Sequence, residues 1–186
     1  GEKLVKLFGG TLGLAPESFL SNIKARFSGG IFLPAFELRR ENVAEYIAAI
    51  QQSKARFLRG YSSAVYLLAK LMAEEGLKLR LQAVFPTAET LHDHQREVIE
   101  ENLGRVFESY GCGELNSIAF ECGAHQGFHI SEEHVYFEVL REGKPVPEGE
   151  IGAVTLTTLQ NYTMPLIRYQ NDDVAICTTA PCPCGR

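Results

Sequence analysis

The stretch that decides the fold is "LRLQAVFPTAETLHDHQREVIEENLGRVFESYG", residues 79–111. Its apolar start, residues 79–86, predicts a short strand, and residues 105–111 predict a second one. Between them, residues 87–104 predict a helix that ends at a glycine. A strand, a helix and a strand in succession indicate parallel strands joined by a crossover helix. The sequence therefore predicts an α/β layer, a parallel sheet with flanking helices.

Two further helices are predicted upstream of this stretch. Residues 39–55 form the first, because apolar side chains recur there at helical spacing: Val43, Tyr46, Ile47 and Ile50. Residues 62–76 form the second, with Ser62 or Ser63 as the N-cap and Gly76 as the stop. A shorter helix is predicted over residues 16–27.

Downstream of about residue 115 the pattern changes to short runs of β-branched and aromatic residues separated by turn residues. The predicted strands are residues 134–140, 152–159 and 173–179. We interpret this part as an antiparallel, β-rich subdomain. The expected domain organisation is an α/β portion over residues 1–115 and a β-rich portion over residues 116–186.

Composition narrows the class of protein. The chain has 186 residues, of which 45% are hydrophobic and 22% charged, and its formal net charge is −5. These values are typical of a soluble globular protein and argue against nucleic acid as a partner. No apolar run approaches the ~20 residues that span a bilayer, and no secretory signal is evident. We expect a cytoplasmic protein without a membrane partner, and a homodimer remains an open alternative.

The two ends of the sequence suggest a piece of a longer protein. The chain begins with Gly1 rather than methionine and stops at "CPCGR", residues 182–186. A dense cysteine pair is an unusual place for a domain to end.

A glycine-rich turn with a carboxylate follows the second strand of the opening stretch. It contains Tyr110, Gly111, Cys112, Gly113 and Glu114. Such a turn lets the backbone approach a ligand closely, and Tyr110 could stack on a flat base. Glu114 could contact a phosphate only through Mg²⁺. The alternative is an exposed turn with no ligand.

A second candidate binding segment is "PLIRYQNDD", residues 165–173, an extended segment followed by paired aspartates at a turn. A buried aspartate there could accept two hydrogen bonds from ribose hydroxyls, each contributing roughly 1.5–3 kcal/mol when the acceptor is charged. The alternative is an Asx turn capped by Asn171 or Asp172.

Cysteines and histidines occur at spacings that a metal accepts. Cys182 and Cys184 flank a single proline, and Cys122 is followed by His125 and His129. Zinc requires four nitrogen or sulfur ligands in structural sites, so three cysteines and one histidine suffice. With no open coordination position the zinc would be structural. The alternative is free cysteines without a metal.

Taken in this order and spacing, the pieces resemble the adenylate-forming enzyme superfamily, and more narrowly its phenylacetate–CoA ligase and CapK-like branch. The resemblance extends from "FSGGIF" to "CPCGR". The motifs that carry it are "RGYSSAVYLLA", "TAETL", "QREVIE", "YGCGE", "IAFECGAHQGFHISEEHVYFEVL", "GEIGAVTLTTLQNYTMPLIRYQNDD" and "CPCGR". It implies that the chain is part of the large domain of such an enzyme. The family's phosphate loop and its mobile C-terminal domain, which carries a catalytic lysine, are not matched.

The resemblance also implies roles for residues of the glycine-rich turn. Tyr110 and Gly111 correspond to positions that line the adenine, and Glu114 to the position that binds Mg²⁺. Gly113 stands where the family often has threonine, so a hydroxyl that would face the phosphates is missing.

Two other segments acquire roles by the same resemblance. Thr87, Ala88 and Glu89 resemble the loop along the adenine edge. The family's Arg-Tyr-Arg-Thr-Gly-Asp element corresponds to residues 168–173, so Asp173 is expected to hold the ribose hydroxyls. Asp172 replaces the family's glycine.

The remaining implications concern the acyl pocket and the metal. "FSGGIF", with Gly29 and Gly30, and "RGYSSA", with Tyr61, resemble parts of the acyl-substrate pocket. CapK-like relatives often carry a metal, which favours a ligand set of Cys122, His129, Cys182 and Cys184 over one with His125. The segment "GGTLG" (9–13) is expected to be a structural turn and not a phosphate loop.

Three hypotheses on function follow. The first is an ATP-dependent acid–CoA ligase that converts a carboxylic acid into an acyl-adenylate and transfers it to CoA, with this chain inactive on its own. The second is a CapK-like or deazaflavin-adenylylating enzyme with a different acceptor. The third is a zinc-stabilised nucleotide-binding module without catalysis. The expected ligands are ATP or AMP, Mg²⁺, Zn²⁺ and, for the first hypothesis, CoA.

Overall fold

The structure of the protein is a computed structural model that describes residues 3–9 and 30–186. The chain divides into two compact units, residues 1–108 and 109–186. Within the described ranges, every helix is too short or too polar to cross a membrane. The predicted helix at 16–27, Gly29 and most of the segment 9–13 lie outside the described residues.

The first unit contains a parallel sheet of four strands in the order β2-β1-β3-β4. Side chains alternate between the two faces, and Val5, Leu7 and Leu58 on one face are fully buried. The bounds of the strands are β1 Leu4–Phe8, β2 Gly30–Pro34, β3 Phe57–Tyr61 and β4 Ala83–Thr87.

Within residues 3–9 and 30–108 the unit has three α-helices, and their apolar stripes contribute to one core with the buried strand residues. Their bounds are α1 Val43–Ser53, α2 Ser62–Glu74 and α3 Asp93–Asn102. Short 3-10 turns precede α1, at Ala35–Glu37 and Arg40–Asn42. The predicted apolar stripe of α1 is confirmed, because its four residues are the buried ones.

The hydrogen-bond partners at the N-terminus of α2 differ from those that the sequence predicted. Neither Ser62 nor Ser63 caps the helix with its side chain; the N-cap is Tyr61. The Ser63 N–H donates to the Glu89 carboxylate at 2.7 Å, and the Ser62 hydroxyl donates to the Glu89 carbonyl at 2.9 Å. A residue distant in sequence therefore supplies the acceptor that the helix terminus needs. At the other end, Gly76 has a left-handed backbone with φ 65° and terminates the helix as predicted.

The deciding stretch keeps its predicted order with shifted boundaries. The strand predicted at 79–86 begins at Ala83. The helix predicted from 87 begins only at Asp93, because Ala88 has φ 68° and breaks the chain direction. The strand predicted at 105–111 is reduced to a parallel bridge between Val84 and Val106 and to β5, Ser109–Tyr110. The parallel α/β layer itself is confirmed.

The second unit is antiparallel throughout, as predicted. Strands β5, β6 and β7 pair in sequence order, and a four-stranded sheet has the order β11-β10-β8-β9. Its core is formed by Leu115, Ile118, Ala119, Val135, Val154 and Leu156. The remaining bounds are β6 Ala119–Glu121, β7 Phe128–Ile130, β8 Val135–Arg141, β9 Lys144–Pro145, β10 Ile151–Thr158 and β11 Tyr169–Ile176.

Strand β11 departs from the sequence prediction. It was expected at residues 173–179 with the aspartates at a turn before it, but it begins at Tyr169 and includes them. Gln170 pairs with Thr155 and Val174 with Ala153, so residues 171–173 face the single residue Val154. The aspartates lie in a bulge within the strand, not at its end.

We expect Glu89→Ala to destabilise the protein by ~1 kcal/mol, because the N-terminus of α2 loses its carboxylate acceptor and the favourable charge there. For a chain of this size the melting temperature should fall by about 2–4 °C. Glu97→Ala, an exposed carboxylate on α3, is the control, and thermal denaturation measures both. Equal melting temperatures for the two variants would contradict the capping role.

Candidate functional site

A compact hydrogen-bonded triangle joins β5 to the bulge of β11. The Tyr110 hydroxyl donates to Asp173 Oδ2 at 2.6 Å. Asn171 Nδ2 donates to the Tyr110 hydroxyl oxygen at 2.8 Å and to the same Asp173 Oδ2 at 2.7 Å. The structure thus brings together two predicted nucleotide-binding residues that are 63 positions apart. It adds a third, Asn171, that the sequence analysis considered only as a turn residue.

The environment of this triangle favours a neutral phenol. Partial burial of Tyr110 raises the pKa of its hydroxyl well above the usual value. The Asn171 hydrogen bond acts in the opposite direction, and the neighbouring Asp173 carboxylate raises the pKa further. Tyr110 is therefore a hydrogen-bond donor at neutral pH.

Glu114 lies at the end of the glycine-rich turn with its side chain exposed. Hydrogen bonds lower the pKa of its carboxyl group. The first is to its own backbone N–H, and the others are to the side chains of Tyr169 and Cys112. The pKa of Tyr169 is raised by desolvation and by its hydrogen bond to Glu114. An ionised, oriented carboxylate is the type of ligand that Mg²⁺ accepts.

Backbone hydrogen bonds shape the turn that carries Glu114. The Cys112 N–H donates to the Leu115 carbonyl at 2.9 Å, and the Ile118 N–H donates to the Tyr110 carbonyl at 3.0 Å. A β-carbon built on Gly113 would meet no atom within 4 Å. The space that a threonine side chain would occupy at position 113, next to Glu114, is therefore open.

The bulge that carries the aspartates contains a left-handed residue. Asp172 has φ 63°, a conformation that favours glycine, which is the family's residue at this position. The Asp172 side chain is exposed, whereas Asn171 and Asp173 on either side of it reach Tyr110. The left-handed residue thus lets alternate side chains of the bulge converge on one hydroxyl.

The predicted adenine-edge residues follow β4 in the first unit. Thr87 is 8% exposed at the end of the strand, and Ala88 is left-handed. Glu89 is held by its two contacts at the start of α2. Backbone strain at a non-glycine residue is frequent at ligand-binding positions and persists only where the surroundings hold it.

The predicted acyl-pocket residues are not brought together. Gly30 pairs with Leu4 at the amino end of the parallel sheet, whereas Tyr61 lies at the carboxyl end of β3. Strands of five residues put ~13 Å between these two edges. Tyr61 instead packs against aromatic rings, with centroids 5.0 Å from Phe8 and 6.2 Å from Phe36. Gly30 therefore does not share a pocket wall with Tyr61.

Four predicted metal ligands form one cluster in the second unit. The ligand atoms of Cys122, His129, Cys182 and Cys184 all lie within 4.8 Å of one another. Cys122 Sγ is 3.6 Å from Cys182 Sγ, and Cys184 Sγ is 3.3 Å from His129 Nε2. Zinc bonds of about 2.3 Å to sulfur and 2.0–2.1 Å to nitrogen imply tetrahedral edges of about 3.5–3.8 Å. The Cys122–Cys182 distance matches such an edge, and three thiols with one imidazole are a donor set that zinc accepts.

The thiols of Cys122 and Cys182 differ in pKa. The backbone N–H of Ala124 and the His129 side chain lower the pKa of Cys122 to about 6. For Cys182 the backbone N–H of Cys184 acts to lower the pKa, but desolvation and the Cys184 and Cys122 thiols outweigh it and raise the pKa. Cys122 is accordingly the thiolate of the pair at neutral pH, and a thiolate is the form that binds metal.

The other cysteines and histidines of this unit lie outside the cluster. His125 Nδ1 contacts Glu121 Oε1 at 3.0 Å, which distinguishes it from His129. Cys112 Sγ contacts the Leu115 carbonyl at 3.7 Å, and burial raises the pKa of the Cys177 thiol. The histidine that spacing alone left open therefore contacts Glu121 and is not among the clustered ligand atoms.

The segment that carries Cys182 and Cys184 is fixed by a carboxylate that the sequence analysis missed. Glu148 accepts hydrogen bonds from the Thr178 hydroxyl at 2.8 Å and from the Thr179 N–H and hydroxyl at 2.6 and 2.9 Å. These bonds, the Thr179 N–H first, lower the pKa of Glu148. No sequence pattern links residues about thirty positions apart, so only the fold reveals this contact.

Comparisons with known proteins agree with this architecture, although no family model matches the sequence. Over 131 residues the chain is 35% identical to phenylacetate-coenzyme A ligase of Thermus thermophilus, covering 63% of this chain and 29% of that protein. Over 148 residues it is 26% identical to Protein CapK of Staphylococcus aureus, covering 77% of this chain and 31% of that protein. The chain thus spans less than a third of these relatives.

A solved structure shows the same fold. It is an open conformation of 2-hydroxyisobutyryl-CoA ligase in complex with 2-HIB-AMP and CoA, with a TM-score of 0.74 and 21% identity, covering 98% of this chain and 42% of that one. At this level of identity the likeness concerns the fold. The resemblance to the phenylacetate–CoA ligase and CapK-like branch is confirmed at the level of sequence relatives. The Tyr110 triangle joins two of the motifs that carried the resemblance.

We expect the left-handed position 172 to discriminate between small residues. Asp172→Ala should lower the free energy of unfolding by ~1 kcal/mol, because alanine pays the steric cost of a left-handed backbone without a polar side chain to offset it. Asp172→Gly should stay within about 0.5 kcal/mol of the wild type, because glycine adopts this backbone freely. Urea denaturation measures both, and an alanine variant as stable as the glycine variant would argue against the bulge geometry.

Proposed function

We propose that the chain provides the nucleotide-binding part of an ATP-dependent acid–CoA ligase of the phenylacetate–CoA ligase type. In the proposed reaction, a carboxylate oxygen of the acid attacks the α-phosphorus of ATP and pyrophosphate leaves, which gives an acyl-adenylate. The CoA thiol then attacks the acyl carbon, its proton is lost and AMP leaves. Because the chain spans less than a third of its relatives, we propose that it does not complete this reaction alone.

The observation that carries the proposal is the contact of Tyr110 with Asp173. Two motifs implied by the resemblance as adenine and ribose sites meet through a 2.6 Å hydrogen bond. A ring that can stack on a base, next to a carboxylate that can accept hydroxyl hydrogen bonds, matches the chemistry of a nucleoside. Ala88, whose left-handed backbone follows β4, is proposed for the adenine edge.

Glu114 is proposed as the residue that holds Mg²⁺. Its carboxylate is exposed, and the hydrogen bonds that lower its pKa keep it ionised at neutral pH. When bound, Mg²⁺ would neutralise charge that develops on the phosphates. Tyr169 donates to the Glu114 carboxylate and so helps to orient it.

The aromatic cluster of the first unit supports an aromatic carboxylic acid as the substrate class. Phe8 and Tyr61 end neighbouring parallel strands, and Phe36 stacks on Tyr61 with an interplanar angle of 22°. Ligands of open α/β sheets bind at the carboxyl ends of strands, which is where these rings lie. An exposed ring such as Phe36, 66% exposed, is available for a substrate ring.

A different acceptor is the second candidate function. The similarity to Protein CapK covers more of this chain, 77%, than the similarity to the Thermus ligase does, 63%. An enzyme of that kind would form the same adenylate and transfer it to a group other than CoA. ATP–pyrophosphate exchange on the full-length protein tests the adenylate step for both candidates, and product formation with and without CoA separates them. Absence of exchange would favour the non-catalytic nucleotide-binding module.

We also propose that the cysteine–histidine cluster binds one structural Zn²⁺. All four donors come from the protein, so no coordination position is left for a substrate. Cys122 and His129 belong to the β6–β7 region, and Cys182 follows 60 residues later, so a metal would join distant parts of the second unit. When bound, zinc would supply cross-linking stability and no chemistry.

The role of Glu114 is tested in the full-length protein. Glu114→Gln should reduce ATP–pyrophosphate exchange by about 10²-fold, the scale seen when a stabiliser of transition-state charge is removed. The amide keeps the size of the side chain, so the melting temperature should not change. Glu132→Gln, an exposed residue of the same unit, is the control. Exchange at the wild-type rate in Glu114→Gln would assign the carboxylate to an ordinary surface turn.

The zinc site is tested on the chain itself. Elemental analysis of protein purified without chelator should find about one zinc per chain, and a strong chelator should lower the melting temperature, because structural zinc contributes on the order of 10 kcal/mol. Cys122→Ser and His129→Ala should lose the metal, whereas Cys112→Ser and His125→Ala should retain it. Metal-free wild-type protein, or metal loss in His125→Ala but not in His129→Ala, would refute this ligand set.

A further inference from the structure

The hydrogen bonds of the bulge assign a specificity role to Asn171. We infer that Asn171 is a positioning residue, which holds the Asp173 carboxylate so that only its Oδ1 atom accepts hydrogen bonds from the ribose. The inference rests on the proposed nucleotide function, since it concerns the same site. It goes further by naming the atom that recognises the sugar and the residue that selects it.

The two carboxylate oxygens of Asp173 differ in the hydrogen bonds that they accept from the protein. Asp173 Oδ2 accepts two hydrogen bonds, from the Tyr110 hydroxyl at 2.6 Å and from Asn171 Nδ2 at 2.7 Å. The Asp173 N–H in turn donates to Asn171 Oδ1 at 3.4 Å. Among the described residues, no hydrogen bond reaches Asp173 Oδ1. One carboxylate oxygen thus accepts hydrogen bonds from the protein, and Asp173 as a residue is exposed.

The amide group of Asn171 is suited to this task in a way that other side chains are not. Its Nδ2 atom is the donor to both the Tyr110 hydroxyl oxygen and Asp173 Oδ2. Threonine, the family's residue here, has a single hydroxyl hydrogen and could serve only one of the two acceptors. Aspartate would have no hydrogen to donate and would repel Asp173. Asn171 thus donates to both partners through its amide nitrogen and accepts through its amide oxygen.

Fixing the carboxylate has a consequence for selectivity. A rotating carboxylate could present either oxygen and adapt to a sugar that lacks a hydroxyl, whereas a fixed one loses a hydrogen bond that nothing replaces. We therefore expect the chain to prefer AMP over 2′-deoxy-AMP. That preference should depend on Asn171 even though Asn171 does not contact the sugar.

Binding of AMP and 2′-deoxy-AMP to the chain, measured by ligand-observed NMR, is the first test. The wild type should bind AMP about 10-fold more tightly than the deoxy analogue, the effect of one hydrogen bond to a charged acceptor. Asn171→Ala should lower this ratio to about 3-fold or less, and Asn171→Thr should lie between the two. Gln170→Ala is the matched control, because Gln170 contacts Thr155 and not the triangle. An unchanged ratio in Asn171→Ala overturns the inference.

A second readout needs no nucleotide. The side-chain amide protons of Asn171 should exchange with solvent more slowly than those of Asn161, an exposed residue of the same unit whose described contact uses its oxygen only. Tyr110→Phe should remove part of this protection. If the wild-type chain fails to bind AMP, the proposed nucleotide function fails, while slow exchange still supports positioning of the carboxylate. Equal exchange at Asn171 and Asn161 overturns the positioning role.

Discussion

Strand β10 imposes the constraint on which the chemistry of the second unit depends. Its residue Val154 is 1% exposed and is held in register with β8, so the strand cannot shift to accommodate its other neighbour. The three residues of β11 that face Val154 must therefore leave regular pairing. That departure turns Asn171 and Asp173 towards Tyr110. Pairing resumes at Val174, and the chain beyond it continues to the cysteine segment.

The sequence predicted those helices and strands in which the alternation of apolar and polar residues repeats several times. Helix α1 and strands β8 and β10 were recognised because each shows several turns or alternations of burial. Strand β3 was missed because its five residues include Arg59 and Gly60, which interrupt the apolar pattern. Strands of three residues have no period to detect, so β6 and β7 become visible only once they pair with each other.

The sequence identified most residues of the candidate site but not their geometry. Motif resemblance pointed to Tyr110 and Asp173, yet the role of Asn171 follows from a bulge and a left-handed residue that no motif encodes. Histidine spacing left two candidates open for the metal. Pairing of β6 with β7 sets Phe120 opposite His129, so the fold directs one histidine to the cysteines, while the other contacts Glu121. The pairing of β6 with β7 therefore distinguishes the two histidines, which their spacing along the sequence does not.

The open space at Gly113 bears on how this lineage can change. A β-carbon there meets nothing within 4 Å, and its backbone is outside the left-handed region, so packing does not demand glycine. Serine, which is one base change away in the genetic code, and threonine could both enter without compensating mutations. A substitution at this position is therefore uncoupled from the packing of the turn. An exchange between glycine and a hydroxyl residue here would need no compensating change in the fold, in either direction.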